Sequence, residues 1–165
     1  MARIDGEILI AAPVEQVFDT VADERNEPRY NPRIVRAEKT SHGPVGPGSR
    51  FTAEPKGMGP KRAMTVEVIG YDRPGRLVMS IRSSYMHVDG TLTFAPVDGG
   101  TRMRWSWDMR LRGAMRVLSP LLRAIGPRWE YRNWAGLKKF LEDAVPDGTP
   151  PGGPVPASTT RQQQT

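Results

Sequence analysis

The stretch TRMRWSWDMRL, residues 101–111, is the part of the sequence that decides the fold. Its apolar side chains occupy every second position, and polar or charged side chains occupy the positions between them. Strict alternation is the period of a β-strand with one buried face and one solvated face. The buried face carries Met103, Trp105, Trp107 and Met109. A strand of this kind predicts a sheet whose apolar face needs a covering layer.

After Gly113 the apolar period changes from that of a strand to that of a helix. The apolar residues now recur at steps of three and four, as in Met115, Leu118, Leu122 and Ile125. The pair Gly126-Pro127 predicts a break or kink, and residues 128–144 continue the helical pattern. This long amphipathic segment is the only element large enough to cover the sheet.

Upstream of residue 101, the sequence predicts further strands and two short helices. Residues 3–10 alternate as a strand, Val14 to Val21 repeats as an amphipathic helix, and residues 23–32 form a second short helix or turn carrying Tyr30. From residue 33 onward, glycine- and proline-rich turns separate about six strand-like runs. The predicted fold class is therefore α+β, an antiparallel sheet of about seven strands with a long C-terminal helix.

The chain of 165 residues is long enough for one domain with a sizeable core. We place that domain at residues 1–145. Residues 146–165 contain five prolines and three glycines, and Val155 is their one large aliphatic residue. Such a segment cannot bury enough apolar surface to offset its ordering entropy, so it predicts a disordered tail.

The composition excludes several classes of site. There is no cysteine, which excludes a disulfide framework, a thiolate nucleophile and cysteine-ligated zinc or iron–sulfur sites. Only His42 and His87 could offer imidazole, and neither has a partner at a metal-ligand spacing, so no metal and no cofactor are expected. The longest apolar run, residues 8–14, is far shorter than a membrane span, and a cytoplasmic protein is expected.

Several short motifs, in order along residues 3–145, resemble those of the SRPBCC superfamily of START and birch-pollen-allergen-like proteins, and within it the polyketide cyclase/dehydrase and lipid-transport-like branch. Tyr30 stands where Trp is common in that family. The resemblance implies a helix-grip fold, in which a curved sheet surrounds the C-terminal helix. It also implies an internal cavity for a hydrophobic or amphipathic small molecule. The motifs are ILIAAPVEQVF (8–18), AD (22–23), YNP (30–32), VGPG (45–48) and GLKKFLE (136–142).

Methionine and aromatic side chains suit the wall of such a cavity, because methionine is flexible and aromatic rings offer flat apolar surfaces. The alternative for these inward positions is an ordinary packed core without a ligand-sized void. Tyr30 would close one end, and an inward Asn133 would need a hydrogen-bond partner. The predicted ligand-binding residues are Tyr30, Met64, Val66, Met79, Ile81, Met103, Trp105, Trp107, Met109, Trp129, Asn133, Trp134 and Leu137.

The sequence favours binding or transport of a lipid, isoprenoid or polyketide-like ligand over catalysis, because the predicted inward positions are overwhelmingly apolar. The alternative is a metal-free polyketide cyclase or dehydratase that uses the same cavity. His87 and Tyr85, in a predicted turn over residues 83–87, are weak candidates for its catalytic groups. The competing interpretation of that turn is a solvated hairpin.

The net charge of +6 is concentrated in one segment. Residues 102–132 contain eight arginines and two acidic residues, Asp108 and Glu130, while the rest of the chain is balanced. A basic amphipathic segment is typical of contact with an anionic membrane surface or an acidic partner, although it could equally be a solvated face. Nucleic acid is not favoured, because the basic face has no aromatic platform and no recognisable reading motif.

Overall fold

The computed structural model of the protein describes residues 2–144. Within them, seven strands form one antiparallel sheet in the order β1-β7-β6-β5-β4-β3-β2. The predicted tail at residues 146–165 lies outside the described residues. The strands are β1 Ala2–Ile10, β2 Ile34–Lys39, β3 Arg50–Pro55, β4 Met64–Asp72, β5 Arg76–Arg82, β6 Met86–Val97 and β7 Gly100–Leu111.

The helices lie between β1 and β2 and at the C-terminal end of the described chain. The α-helices are α1 Val14–Ala22, α2 Glu27–Tyr30 and α3 Ser119–Asp143. Short 3-10 helices cover Glu24–Asn26, Pro60–Arg62 and Gly113–Leu118. This arrangement confirms the helix-grip fold expected from the sequence, including the two short helices after β1 and the long helix after β7.

Strand β7 occupies the position in the sheet that its alternating pattern predicts. It pairs with β1 on one side and β6 on the other, in a register that places Trp107 opposite Ile4 and Gly90. Its four alternating apolar residues all face inward, and its arginines face outward. The inner face of the sheet is thereby apolar, and α3 packs across it against β1.

The C-terminal helix has no break at Gly126-Pro127. Helix α3 continues through Pro127 without interruption. Gly126 is buried, and a Cβ at this position would overlap the side chain of Ile4 on β1. The tight packing of α3 on β1 outweighs the single intrahelical hydrogen bond that proline removes.

Helix α3 also approaches α2 closely at Gly136. A Cβ at this position would overlap the carbonyl oxygen of Tyr30. Tyr30 is buried in the same region, with its ring 6.5 Å from the ring of Trp134 and 6.5 Å from the ring of Phe140, measured between centroids. The glycine therefore sets how near the two helices lie, and so helps to position the residues that α2 and α3 present to the interior.

Candidate ligand-binding cavity

A cavity of about 460 Å³ lies between the inner face of the sheet and helix α3. Cavities that bind small molecules commonly have volumes of about 300–1,000 Å³. Strands β4 to β7 form one wall, α3 and the preceding 3-10 helix form the opposite wall, and α2 lies at one end. The protein thus has an internal space in addition to a packed core.

The walls of the cavity are mainly apolar. On the sheet side they are formed by Met64, Val66, Met79, Ile81, Val88 and Met109, with Trp107 beside Met109 on β7. The opposite wall is formed by Met115, Leu118, Leu121, Leu122 and Ile125. The same apolar repeat that predicts a helix after Gly113 thus supplies one side of the cavity.

The structure sorts the predicted ligand-binding residues into two groups. Those in the cavity lining are Tyr30, Met64, Val66, Met79, Ile81, Trp107, Met109, Trp129, Asn133 and Trp134. Met103, Trp105 and Leu137 do not line it. All three are buried in the packed core. Alternation identifies the inward face of an element, but it cannot show where along that element a void begins.

The two inward tryptophans of β7 each lie over a glycine of an adjacent strand, but only one of them lines the cavity. Trp107 lies over Gly90 of β6, and Trp105 lies over Gly6 of β1, and a Cβ at either glycine would overlap the indole ring. Trp105 also packs against Trp134, with 6.0 Å between ring centroids. Trp134 itself lines the cavity, so Trp105 belongs to the layer behind it.

Three glutamates line the cavity near α2 and form what we call the carboxyl cluster: Glu24, Glu27 and Glu130. Glu24 and Glu27 lie on consecutive turns after α1 and interact through a hydrogen bond between their side chains. Asn31 Nδ2 donates to Glu27 Oε1 at 2.8 Å. From the opposite side, Trp107 Nε1 donates to Glu130 Oε2 at 3.2 Å.

The carboxyl cluster binds protons more tightly than ordinary glutamates do. Burial raises the pKa of Glu24 well above its usual range, and the adjacent Glu27 raises it further. Burial also raises the pKa of Glu27. Burial raises the pKa of Glu130 to about 7, against the opposing effect of the Arg33 guanidinium. Glu130 therefore exchanges its proton near neutral pH.

Tyr30 lies close enough to the same acidic groups to interact with their charges. Burial raises the pKa of its phenol well above the usual range, and the charges of Glu27, Glu24 and Glu130 add to that effect. Its hydroxyl therefore stays protonated. One phenol and three carboxyl groups converge at this end of the cavity, which can hold or move protons next to a bound molecule.

The carboxyl cluster is a feature that local sequence patterns do not predict. Glu130 precedes Asn133 and Trp134 by three and four positions, a spacing that places all three on one face of a helix. Glu24 and Glu27 are separated by the same helical spacing. These helical intervals are the one sign of the cluster in the sequence. They do not predict it, because glutamate is rarely buried and no local pattern shows that two distant segments meet.

The side chains of His87 and Tyr85 lie on different sides of the sheet and do not form a shared site. His87 lies in strand β6 and not in a turn, and its side chain is on the outer face of the sheet, where Nε2 is 2.9 Å from Asp89 Oδ1 and 3.3 Å from Ser80 Oγ. Tyr85 precedes the strand and lines the cavity. The strand begins at Met86, two residues earlier than expected, so alternation directs His87 away from the cavity.

The solvent-facing side of the cavity is rimmed by exposed apolar residues. Met58, Leu118 and Leu121 line the cavity and are also 46%, 41% and 53% exposed. Arg112 and Arg116 are exposed beside the two leucines. Leu121 and Trp134 are separated by about 20 Å along α3, so this mouth lies far from the carboxyl cluster.

The described residues, 2–144, contain neither a membrane-spanning helix nor a cluster of metal-ligating side chains. No helix among them is long and apolar enough to cross a membrane. No three histidine, aspartate or glutamate side chains in that range are arranged to hold a metal ion.

The sequence matches the family described as polyketide cyclase / dehydrase and lipid transport over residues 1–143, and the chain belongs to this family. The similarity to START and birch-pollen-allergen-like proteins expected from the sequence is thereby confirmed at the level of the family and its fold. Comparison of the sequence with curated proteins gave no match.

Solved structures with the same fold are distant in sequence. A START superfamily protein from Mycobacterium smegmatis has a TM-score of 0.75 at 14% identity, covering 88% of this chain and 100% of that chain. Ara h 8.0201 has a TM-score of 0.58 at 17% identity, covering 82% and 97%. The di-domain ARO/CYC BexL from the BE-7585A biosynthetic pathway has a TM-score of 0.64 at 22% identity, covering 86% and 47%.

Proposed function

We propose that the protein binds and carries a small hydrophobic or amphipathic molecule in the cavity between the sheet and α3. The observation that carries this proposal is the cavity itself, a space of about 460 Å³ with mainly apolar walls. An empty apolar space of this size costs stability, because the surrounding side chains lose contacts that a ligand restores. The family to which the chain belongs includes lipid transport in its description, which supports the same proposal.

Native mass spectrometry of the protein purified from its host tests this proposal. A bound apolar molecule would appear as a mass shift that organic extraction removes. Absence of any adduct, together with failure of the purified protein to bind apolar fluorescent probes, would contradict the proposal.

A matched pair of variants links binding to the cavity. Ile81 lines the cavity, whereas Ile69 on β4 is exposed and lies outside the lining. We expect Ile81→Trp to fill the space and abolish probe binding, and Ile69→Trp to bind as the unmodified protein does. Equal binding by both variants would place the ligand elsewhere.

A second candidate function is cyclisation or dehydration of a polyketide-like chain in the same cavity. Glu130 favours it, because a carboxyl with a pKa of about 7 beside a ligand space is suited to take and return a proton at neutral pH. In an aldol cyclisation, a carboxylate would remove the proton from the carbon that attacks a ketone. The acid would return this proton to the new alkoxide and give an alcohol. The carboxylate would then remove a second proton from the same carbon and return it to the departing hydroxyl, which releases water and leaves a carbon–carbon double bond.

The catalytic alternative is tested with a linear poly-β-ketone thioester. Turnover would produce a cyclic product lighter by one water molecule, visible by mass spectrometry. We expect Glu130→Gln to lower such a rate by about 100-fold or more while leaving binding intact. Binding of the thioester without product formation would contradict the catalytic function and leave the carrier function as the one that remains.

We further propose that the mouth of the cavity contacts an anionic membrane surface. The exposed apolar residues Leu118 and Leu121 lie among the arginines of residues 102–132. Glu130, one of the two acids in that segment, is half-buried and lies in the cavity lining, so the outer surface of the segment is more basic than its sequence suggests. Apolar side chains surrounded by basic ones suit the boundary between headgroups and acyl chains.

A further inference from the structure

The cavity lining contains more acidic than basic side chains. Its carboxyl cluster holds three glutamates, and Arg33 is the one basic residue among the described residues that line the cavity. Arg33 is exposed, its Nη2 donates to the Trp129 carbonyl oxygen at 2.9 Å, and its guanidinium lies 5.2 Å from the centroid of the Trp129 ring. A buried carboxylate normally has a cationic partner, and Arg33 alone cannot neutralise all three carboxyl groups when they ionise.

Two polar groups in the same lining have no hydrogen-bond partner among the described residues. One is Asn133 Oδ1, a buried oxygen that can only accept. The other is Nε1 of Trp134, a residue that is only 5% exposed. This indole N–H lies near enough to Glu130 to lower its pKa, although it does not meet hydrogen-bond geometry.

The two indole groups favour an ionised Glu130. Indole N–H groups can only donate, and Trp107 and Trp134 approach the Glu130 carboxyl from β7 and from α3. A donor stabilises a carboxylate more than it stabilises the neutral acid. The site is therefore built to carry negative charge at Glu130 once a compensating positive charge is present.

The walls around these carboxyl groups are aromatic. Tyr30, Trp107 and Trp134 line the cavity together with Trp129, and aromatic faces attract cations through their quadrupole. Acidic side chains, a free acceptor oxygen and aromatic faces in one enclosed space share a preference for a positively charged group with N–H donors. The rest of the cavity is apolar and suits a hydrocarbon chain.

We propose that the carboxyl cluster binds the ammonium group of an amphipathic amine whose hydrocarbon part occupies the apolar remainder of the cavity. This inference rests on the proposed ligand-carrying function and names the chemical class of the ligand. The ammonium group donates to the carboxylates and to Asn133 Oδ1, and Trp107 and Trp134 support Glu130 from the other side.

Binding of an ammonium group then depends on pH. The groups that face one another are the three glutamates, the Tyr30 phenol and Arg33, with Asp23 acting on Glu24 from outside the cavity. An ammonium favours the ionised carboxyl groups, so its binding releases protons below the pKa of Glu130. Its affinity therefore rises with pH through about 7 and then levels off.

Three probes of equal chain length test the inference: decylamine, decanol and decanoate. Each displaces an apolar fluorescent reporter from the purified full-length protein, below its micelle concentration. At about pH 8, where a primary amine is still protonated, we expect decylamine to bind about tenfold more tightly than decanol. The net charge of +6 opposes non-specific attraction of an amine, so such a preference reports on the cavity.

Glu130→Gln should lower the affinity for decylamine about tenfold and change the affinity for decanol less than twofold. Glu15→Gln alters the net charge equally at an exposed position of α1 and serves as the control. Calorimetry of decylamine binding at about pH 6, in buffers of different ionisation enthalpy, should show release of roughly one proton in the unmodified protein and less in the Glu130 variant.

The outcomes separate this inference from the proposed function. Failure of all three probes to displace the reporter would contradict both. Binding of decanol as tightly as decylamine, or tighter binding of decanoate, would overturn the ammonium site and leave the carrier function standing. Amine binding without proton release, and unchanged by Glu130→Gln, would also overturn it.

Discussion

Burial of Glu130 couples the stability of the protein to pH. Its pKa is about 7 in the folded protein and near 4.5 when exposed, so the unfolded chain releases this proton first as pH rises. The free energy of unfolding therefore decreases between about pH 4.5 and pH 7 because of this group, and above that range the loss is complete and no longer changes with pH.

Glu130→Gln should remove this pH dependence and stabilise the ligand-free protein at pH 8 by on the order of 1–3 kcal/mol. The amide keeps an oxygen to accept from Trp107 and carries no charge to bury. Urea denaturation at about pH 5 and pH 8 measures the effect. A variant less stable than the unmodified protein at pH 8 would show that Glu130 has a favourable partner.

Gly90 fixes the position of Trp107, and through it one wall of the cavity. Gly90→Ala would place a methyl group inside the indole ring, so Trp107 or β6 must move. We expect a loss of about 1–3 kcal/mol in the free energy of unfolding, and altered tryptophan fluorescence. Gly46→Ala is the control, since nothing lies within 4 Å of that position. Equal stability of both variants would contradict the packing of Trp107 on Gly90.

Among the elements, the junction of the 3-10 helix with α3 carries the proposed membrane contact. Leu121→Asp should weaken sedimentation with phosphatidylglycerol vesicles about tenfold, because an exposed apolar side chain at the mouth is replaced by an anion. Ile69→Asp, at an equally exposed isoleucine outside the lining, is the control.

The unmodified protein should sediment with phosphatidylglycerol vesicles at low salt and less at high salt. It should bind phosphatidylcholine vesicles weakly under both conditions. Binding that ignores lipid charge and salt, or equal loss in the two aspartate variants, would remove the membrane from the proposal. An acidic protein partner would then be the remaining interpretation of the basic segment.

The close approach of α3 to α2 depends on Gly136. Gly136→Ala would force the Tyr30 carbonyl oxygen away from α3, which separates the two helices that carry the carboxyl cluster. We expect a loss of about 1–3 kcal/mol in stability and weaker binding of amphipathic probes. Thermal unfolding and probe titration measure the two effects, and Gly46→Ala again serves as the control. A stable variant with unchanged binding would show that the helices do not define this end of the cavity.

For the whole molecule, the cavity makes stability depend on its ligand. Removal of a bound apolar molecule by organic extraction should lower Tm, and its return at about a hundred times Kd should restore about 2.7 kcal/mol. The Ile81→Trp variant should show little change on extraction, because its cavity is already filled. A Tm that is insensitive to extraction in both proteins would indicate that the cavity is empty in the host.

The family's description and the fold are compatible with both a carrier and a cyclase, because one cavity with a proton-exchanging end serves either function. The structure places more acidic groups in the cavity lining than the sequence predicts. The sequence predicts overwhelmingly apolar inward positions, whereas Glu24, Glu27 and Glu130 lie in the lining. Proton chemistry in the cavity is therefore a property that both functional candidates share.

The sequence by itself determined the order of elements, the inward face of each strand and the apolar repeat of α3. These features follow from periods of two and of about 3.6 residues, which are local properties of the chain. Local patterns also identified part of the cavity wall, including Trp107, Met109 and Trp134.

Only the tertiary structure decided where the packed core ends and the cavity begins, and which acidic groups reach it. Trp105 and Trp107 have identical local patterns, yet Trp105 is packed behind Trp134 and Trp107 faces the cavity. Glu27 and Glu130 are about a hundred residues apart and meet because α3 folds back across the sheet. Burial and pKa depend on neighbours brought together by the fold, and no single segment contains that information.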